Sequence, residues 1–308
     1  MFRTPAVLLV LQLTQLGVPA LASAFCRLMV GSQVAAPGCD GTSTGIPLAW
    51  QRRCMSYSVS EPKGGLTFSQ ARTVIEASFQ SWQDVTCDGG HKTGIEIVEF
   101  PSPPQPVACR EPEHNVDGLN ANAILFVDDW SRRGNGSNAF GLTFVWHNTT
   151  NGEIVDADME LNDARQDRLA VCPDTGCPSG TVDLQNVVTH EAGHFLGLGH
   201  SQFSRATMAF QATGGEITKR TLADDDRLGL CTIYKPGTLP AECDFMPVNG
   251  WAAECGVPLA GGCGCSLPGS RIPLRLPWTA LALGLAAVFI ARTRRQRRRV
   301  KMALQDRS

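Results

Sequence analysis

Residues 190–200 run His190-Glu191-Ala192-Gly193-His194-Phe195-Leu196-Gly197-Leu198-Gly199-His200, the pattern H-E-x-x-H-x-x-G-x-x-H. On a helix, residues four apart project from one face, so His190 and His194 can grip one metal ion through their imidazoles. Glu191 sits beside the first of them, where its carboxylate can lean over the metal's open side as a general base. Gly197 supplies a left-handed turn, a conformation that costs more for a residue carrying a Cβ. That turn swings His200 back as a third ligand and leaves the fourth position for water. Three protein ligands plus water describe a catalytic zinc site, whereas structural zinc closes with four protein ligands. The short H-E-x-x-H pattern also occurs by accident. A Gly and a third His at fixed offsets make coincidence much rarer.

Downstream, Met208 lies eight residues after His200, within Ser204-Arg205-Ala206-Thr207-Met208-Ala209-Phe210. A zinc motif followed by such a methionine is similar to the metzincin metalloproteases and their methionine turn. The resemblance implies that Met208 forms a hydrophobic floor under the zinc. Ser201, directly after the third His, resembles the matrixin branch. Phe210 stands where astacin-like and serralysin-like relatives carry a zinc-binding Tyr, and so also favours the matrixin branch.

Further out, Trp50, Cys54 and Tyr57 precede a run from Ser69 to Val85. In it Ala71, Val74, Ile75, Ser78, Phe79 and Trp82 recur at helical spacing. Segments rich in Ile, Val and Phe follow at Gly94–Phe100 and Ala121–Val127 and read as strands. Ala139–Trp146 and Glu153–Asn162 form two more, joined through Asn151-Gly152, a hairpin signal. Thr221–Gly229 resembles the family's final helix. The resemblance covers residues 49–236 and implies an α+β catalytic domain. Its twisted, mostly parallel sheet of about five strands, with an antiparallel edge strand, would pack on a long helix and on the zinc-site helix.

Residues 1–24 carry Arg3, an apolar stretch from Ala6 to Leu11 and Ala22-Ser23-Ala24, and read as a secretory signal peptide. An N-terminal segment, residues 25–48, separates it from the catalytic domain. Twelve cysteines, all beyond the expected cleavage point, fit a disulfide framework in an oxidising compartment. Cys172 and Cys177 are close enough to close one small loop, and the other pairs stay open. Residues 237–271, rich in Gly, Pro and Cys, read as a linker. The segment 272–308 then carries an uncharged apolar stretch, Leu276–Ala291, and a cluster of arginines from Arg292 to Arg299. As a helix, that stretch covers about 24 Å, slightly short of a hydrocarbon core. Linker, short apolar helix and arginine cluster together resemble the sorting signals of myxobacterial surface proteins. The alternative is a permanent single-span anchor. Either reading places the protein at a cell surface, an outer membrane or outside the cell.

The exported part, residues 25–270, holds 16 Lys and Arg against 28 Asp and Glu, a net charge of −12. Such acidity argues against nucleic acid as a partner. It is compatible with calcium, which the resemblance implies as a structural ion, and Asp156–Asp163 is the local candidate. Alternating carboxylates there read equally as the solvated face of a strand. His91, His114 and His147 are scattered and read as surface or core residues, not as a second zinc site. By resemblance, Ala139–Trp146 is the edge strand above a cleft, where a polypeptide substrate would bind as an additional strand. The Pro-Arg-Cys-Gly propeptide string of matrixins is absent. Cys39 is a candidate plug for the zinc or a disulfide partner. The expected activity is zinc-dependent hydrolysis of peptide bonds with Glu191 as base. A zinc-stabilised adhesin without activity and a peptidase for cell-wall crosslinks are the rivals.

Overall fold

In a computed structural model describing residues 25–31, 45–136, 138–164 and 168–256, the helical spacing after Ser69 becomes α1, Phe68–Gln83. Thr67 caps it: its hydroxyl accepts from the Gln70 backbone N–H, and the Gln70 side chain reaches back to the Thr67 N–H. The buried face is Ala71, Val74, Ile75, Ser78, Phe79 and Trp82, the six positions picked out by helical spacing.

The strands are β1 (Cys26–Arg27), β2 (Cys54–Val59), β3 (Glu96–Glu99), β4 (Ala123–Val127), β5 (Gly141–His147) and β6 (Ile154–Asn162). Short strands β7 (Leu169–Ala170) and β8 (Val182–Asp183) lead to α2 (Leu184–Phe195), β9 (Leu198–Gly199) and α3 (Asp224–Ile233). The main sheet has the order β3-β2-β4-β6-β5. Its pairs are parallel except β5–β6, which is antiparallel and leaves β5 at the edge. The α+β architecture with one antiparallel edge strand is therefore present.

Alternation along the strands gives the sheet two buried faces. Met55, Tyr57, Val59, Ile124, Phe126, Ala157, Met159 and Leu161 meet α1 and α2 in the main core. The opposite face carries Ala123, Leu125 and Val127, which join Val107, Cys109, Ala121 and Trp130 in a second cluster. Covering it are the loop before β4 and a strap from residue 237 to 256. The strap, read from sequence as linker, forms no helix or strand. It is nevertheless fastened by Cys54–Cys243 and Cys109–Cys255 and by a hydrogen bond from Trp251 Nε1 to Ser58 Oγ, 3.0 Å. A third disulfide, Cys87–Cys231, ties the loop after α1 to α3, and Cys172–Cys177 closes the expected small loop.

On β6 the acids prove to be buried, so their reading as a solvated face is overturned. Asp156, Asp158 and Glu160 are at most 2% exposed, because the loop before β4 and residues 129–135 lie over them. Arg133 Nη1 and Asn135 Nδ2 donate to the two Glu160 oxygens at 2.5 and 3.0 Å. Asp158 accepts the backbone N–H groups of Ala123 and Glu113, at 2.6 and 2.8 Å. His114 Nδ1 lies 3.0 Å from Asp156 Oδ2, while Asp156 Oδ1 has no hydrogen-bond partner among the described residues. These neighbours are largely N–H groups, whereas calcium takes six to eight oxygens. Among the described residues the segment thus presents no calcium ligand set.

Burial pushes the Asp156 and Asp158 carboxyls well above the ordinary range, and each lies in the field of Glu113. Burial also pushes His114 down, so it adds little compensating charge. An acid whose folded-state pKa is raised holds its proton more tightly folded than unfolded. The stability it contributes is therefore complete below the unfolded aspartate value, about 4, and is lost as pH rises through the folded one. Asp156→Asn removes one of these acids. Its Tm relative to wild type should climb as pH rises from about 4 to 8, by a few degrees. A constant difference across that range, measured by thermal denaturation, would show that the pair titrates normally.

Candidate metal centre

Asp183 caps the N-terminus of α2, its Oδ2 accepting from the Asn186 backbone N–H at 2.8 Å. The same buried carboxylate takes a two-pronged contact from Arg220, Nε and Nη2 each at 2.7 Å. At the other end, carbonyls that the helix leaves unpaired are met by side chains. Trp50 Nε1 donates to Phe195 O at 2.8 Å, and the Tyr234 hydroxyl to Leu196 O at 2.9 Å. Within the helix, Trp82 Nε1 donates to Thr189 O at 2.9 Å. Gly197 then turns with φ +89°, as its place in the motif requires, and a Cβ there would lie 2.7 Å from Leu48 O. Beyond the turn, β9 pairs antiparallel with β1 and delivers the chain to His200.

His190, His194 and His200 are brought together, with candidate ligand atoms all within 4.8 Å of one another. The Nε2 atoms of His194 and His200 lie 3.2 Å apart. His190 Nδ1 is 2.7 Å from Thr207 O, and His194 Nδ1 is 2.8 Å from Leu198 O. A carbonyl can only accept, so in both rings Nδ1 carries the proton and Nε2 keeps its lone pair. Burial, then His200 close by, pushes His194 down to about 3; burial and then Lys219 push His190 well below its usual value. The rings are thus neutral, the form that ligates a metal. With Nδ1 of His190 and His194 turned to carbonyls, their Nε2 lone pairs are left for a metal where His200 joins them, so these residues fit zinc.

Met208 lies under the site as expected. A Cβ on Gly193 would fall 2.1 Å from Met208 Sδ, so the glycine admits the methionine against α2. The turn carrying Met208 is held from several sides. Ser201 N donates to Met208 O at 2.8 Å, and the buried Lys219 ammonium donates to Ala209 O. Asp226, fully buried at the start of α3, accepts from the backbone N–H groups of Thr207, Met208 and Ala223 at 2.7, 3.0 and 2.8 Å. Phe210, half exposed, sets its ring edge-on to His200 with centroids 5.0 Å apart.

Glu191 faces β5 and stands outside the histidine group. Thr143 Oγ1 donates to Glu191 Oε2 at 2.7 Å. Burial raises the Glu191 carboxyl to about 7, against the opposing pull of that hydrogen bond and of Lys219. The three histidines picked out by the motif are therefore brought together, while Glu191, on the same helix, is turned to β5. Thr143, Lys219, Asp226 and the Asp183–Arg220 pair were not singled out as site residues. Thr143 lies within Ala139–Trp146, read as the edge strand, and Asp226 within Thr221–Gly229, read only as resembling a final helix.

His114 is a partly buried residue paired with Asp156, while His91 is exposed and far in sequence from the triad. Residues 1–24, read as a signal peptide, Cys39, residues 257–271 and the apolar and basic segments of 272–308 lie outside the described residues. No helix among the described residues is long and apolar enough to cross a membrane.

The matrixin family model (peptidase M10) matches residues 125–235, from β4 through α3. Among curated proteins, the Metalloendoproteinase 1-MMP of Arabidopsis thaliana is 26% identical over 195 residues, 61% of this chain and 44% of that protein. The Metalloendoproteinase 5-MMP of the same plant is 49% identical over 53 residues, 17% of this chain and 14% of that protein. The chain thus spans less than half the length of either relative.

Proposed function

We propose that this chain, a matrixin-like metzincin, is an exported zinc-dependent endopeptidase that cleaves extended polypeptides. One observation carries the reading: the buried His190 and His194 converge with His200 on a point, and the only carboxylate of the motif is held aside from them against β5. A structural zinc site has no use for such a carboxylate, which argues against an inert adhesin.

His190, His194 and His200 would hold the zinc. When bound, the metal supplies Lewis acidity, making water a nucleophile near neutral pH and polarising a carbonyl. The Glu191 carboxylate takes the proton from the attacking water and returns it to the nitrogen of the departing amine. Burial favours the protonated form of Glu191 enough for it to serve in both directions. The outer edge of β5 offers backbone groups to a substrate chain lying along it, and selectivity comes from side-chain contacts beside the site. Phe210, edge-on to His200, is such a contact and suits an apolar substrate side chain.

Export is supported by the cysteines. All nine described ones, Cys26 included, are disulfide-bonded, as expected in an oxidising compartment. The sorting or anchoring role of residues 272–308 stays part of this proposal, as does the surface location.

The test is cleavage of a diverse peptide library by the full chain, purified with its disulfides intact. Cleavage should stop with a zinc chelator and return when zinc is restored. A folded, zinc-loaded chain that cleaves no peptide would overturn the reading in favour of the adhesin. Cleavage confined to cell-wall crosslinks would replace the substrate class.

A further inference from the structure

We infer that Thr143 and Gly141 form a built seat on β5 that fixes the general base, with Thr143 as a positioning residue for Glu191. The inference rests on the endopeptidase reading and concerns how this chain aims its carboxylate.

Glu191 lies on α2 and its carboxylate crosses to a different element, β5, the edge strand of the sheet. Residues 141 and 143 sit two apart on that strand, so both face α2. Their two side chains do opposite things. At Gly141 a Cβ would lie 2.6 Å from Glu191 Cγ, 2.8 Å from Cδ and 2.7 Å from Oε1. The glycine does not have a left-handed φ. Its role is therefore space, the room in which the glutamate lies. At Thr143 the buried hydroxyl donates to Oε2 at 2.7 Å, and its alternative acceptor, the Glu191 backbone carbonyl, is farther away at 3.2 Å.

A glutamate has three rotatable bonds, and ordering such a long side chain is among the larger conformational-entropy costs of any residue. A base that must meet one water molecule gains from meeting that cost in the fold rather than at each turnover. Oε2 is anchored to the strand, while Oε1 accepts no hydrogen bond from the described residues. The seat thus assigns the two oxygens different tasks: Oε2 holds the side chain and Oε1 receives the proton. Strand β5 then has two functions. Its edge offers hydrogen bonds to substrate, and its α2-facing side aims the base, so substrate and base share one rigid frame.

Thr143→Val keeps the shape and β-branching but removes the donor. The expected result is a fall in kcat of about tenfold, with KM and zinc affinity close to wild type. Thr143→Ser, which restores the hydroxyl, should recover most of that loss. Gly141→Ala should lower kcat more than Thr143→Val does, because the new methyl displaces the carboxylate. If valine disturbs the strand, Thr143→Ala carries the same expectation without its bulk. Zinc affinity is measured by competition with a chelator and KM and kcat on a peptide the wild type cleaves.

Wild-type kcat in Thr143→Val, or Thr143→Ser as impaired as Thr143→Val, overturns the seat. A parallel loss of zinc affinity would also overturn it, by showing that Thr143 merely supports the fold of the site. An inert wild type would instead overturn the endopeptidase reading itself, so the two failures are distinguishable.

Discussion

Glu191→Ala should bind zinc like the wild type and lose turnover by about 10²–10⁴-fold, the range that a positioned general base supplies. Glu191 is not among the clustered ligands, so its removal leaves His190, His194 and His200 and their hydrogen-bonded carbonyls in place. The substitution also strands no buried donor. The Thr143 hydroxyl, deprived of Oε2, still has the carbonyl oxygen of residue 191 at 3.2 Å. Deleting a buried acid whose proton affinity burial has raised removes a desolvation cost as well, so stability should change little. Zinc content measured alongside kcat separates the outcomes. Turnover near wild type in a zinc-loaded variant would remove Glu191 from the chemistry. Loss of zinc together with activity would make it part of the metal's support.

The features legible from sequence are those encoded within one element. The spacing of His190, His194 and His200 specifies a helix, a left-handed turn and a return within eleven residues, and no distant contact is needed to read it. Likewise, the six apolar or small positions from Ala71 to Trp82 mark one helical stripe, and that stripe is the buried face of α1. Other features depend on what covers an element from elsewhere. The acids of β6 alternate like a solvated strand, and only the overlying loop and Arg133 make them interior. The disulfides of the strap join residues 189 and 146 positions apart, a pairing no local pattern can signal. The Gly- and Pro-rich stretch after residue 237 lacks periodicity because covalent bonds and side-chain contacts, rather than a repeating ladder, hold it to the sheet.

Asp226 is the sharpest instance of a residue hidden by its composition, and Asp226→Ala should be the most damaging single substitution outside the ligands themselves. It stands last in a run of three aspartates at the start of α3, where acids commonly serve the helix N-terminus in solvent. Instead it points inward and gathers three backbone N–H groups, two of them from the turn that carries Met208. Alanine leaves the Thr207 and Met208 donors buried without that acceptor, at about 1–3 kcal/mol each before relaxation, and the part-buried Ala223 donor loses it too. With partial rearrangement, a total loss of about 3–5 kcal/mol is expected, or roughly 10 °C in Tm for a domain of this size. The damage should also reach the metal, because the carbonyl of Thr207 orients His190 through its Nδ1 at 2.7 Å. Freed from Asp226, residues 207–208 lose the anchor that fixes that carbonyl, and zinc affinity should fall by about 10–100-fold, as for other outer partners of metal-bound histidines. Thermal denaturation with and without zinc, paired with a chelator competition, checks both parts. A variant that melts early yet binds zinc as tightly as wild type would confine Asp226 to the fold. If neither quantity moves, the turn under the histidines is held without it, by Lys219 and the Ser201–Met208 pairing alone.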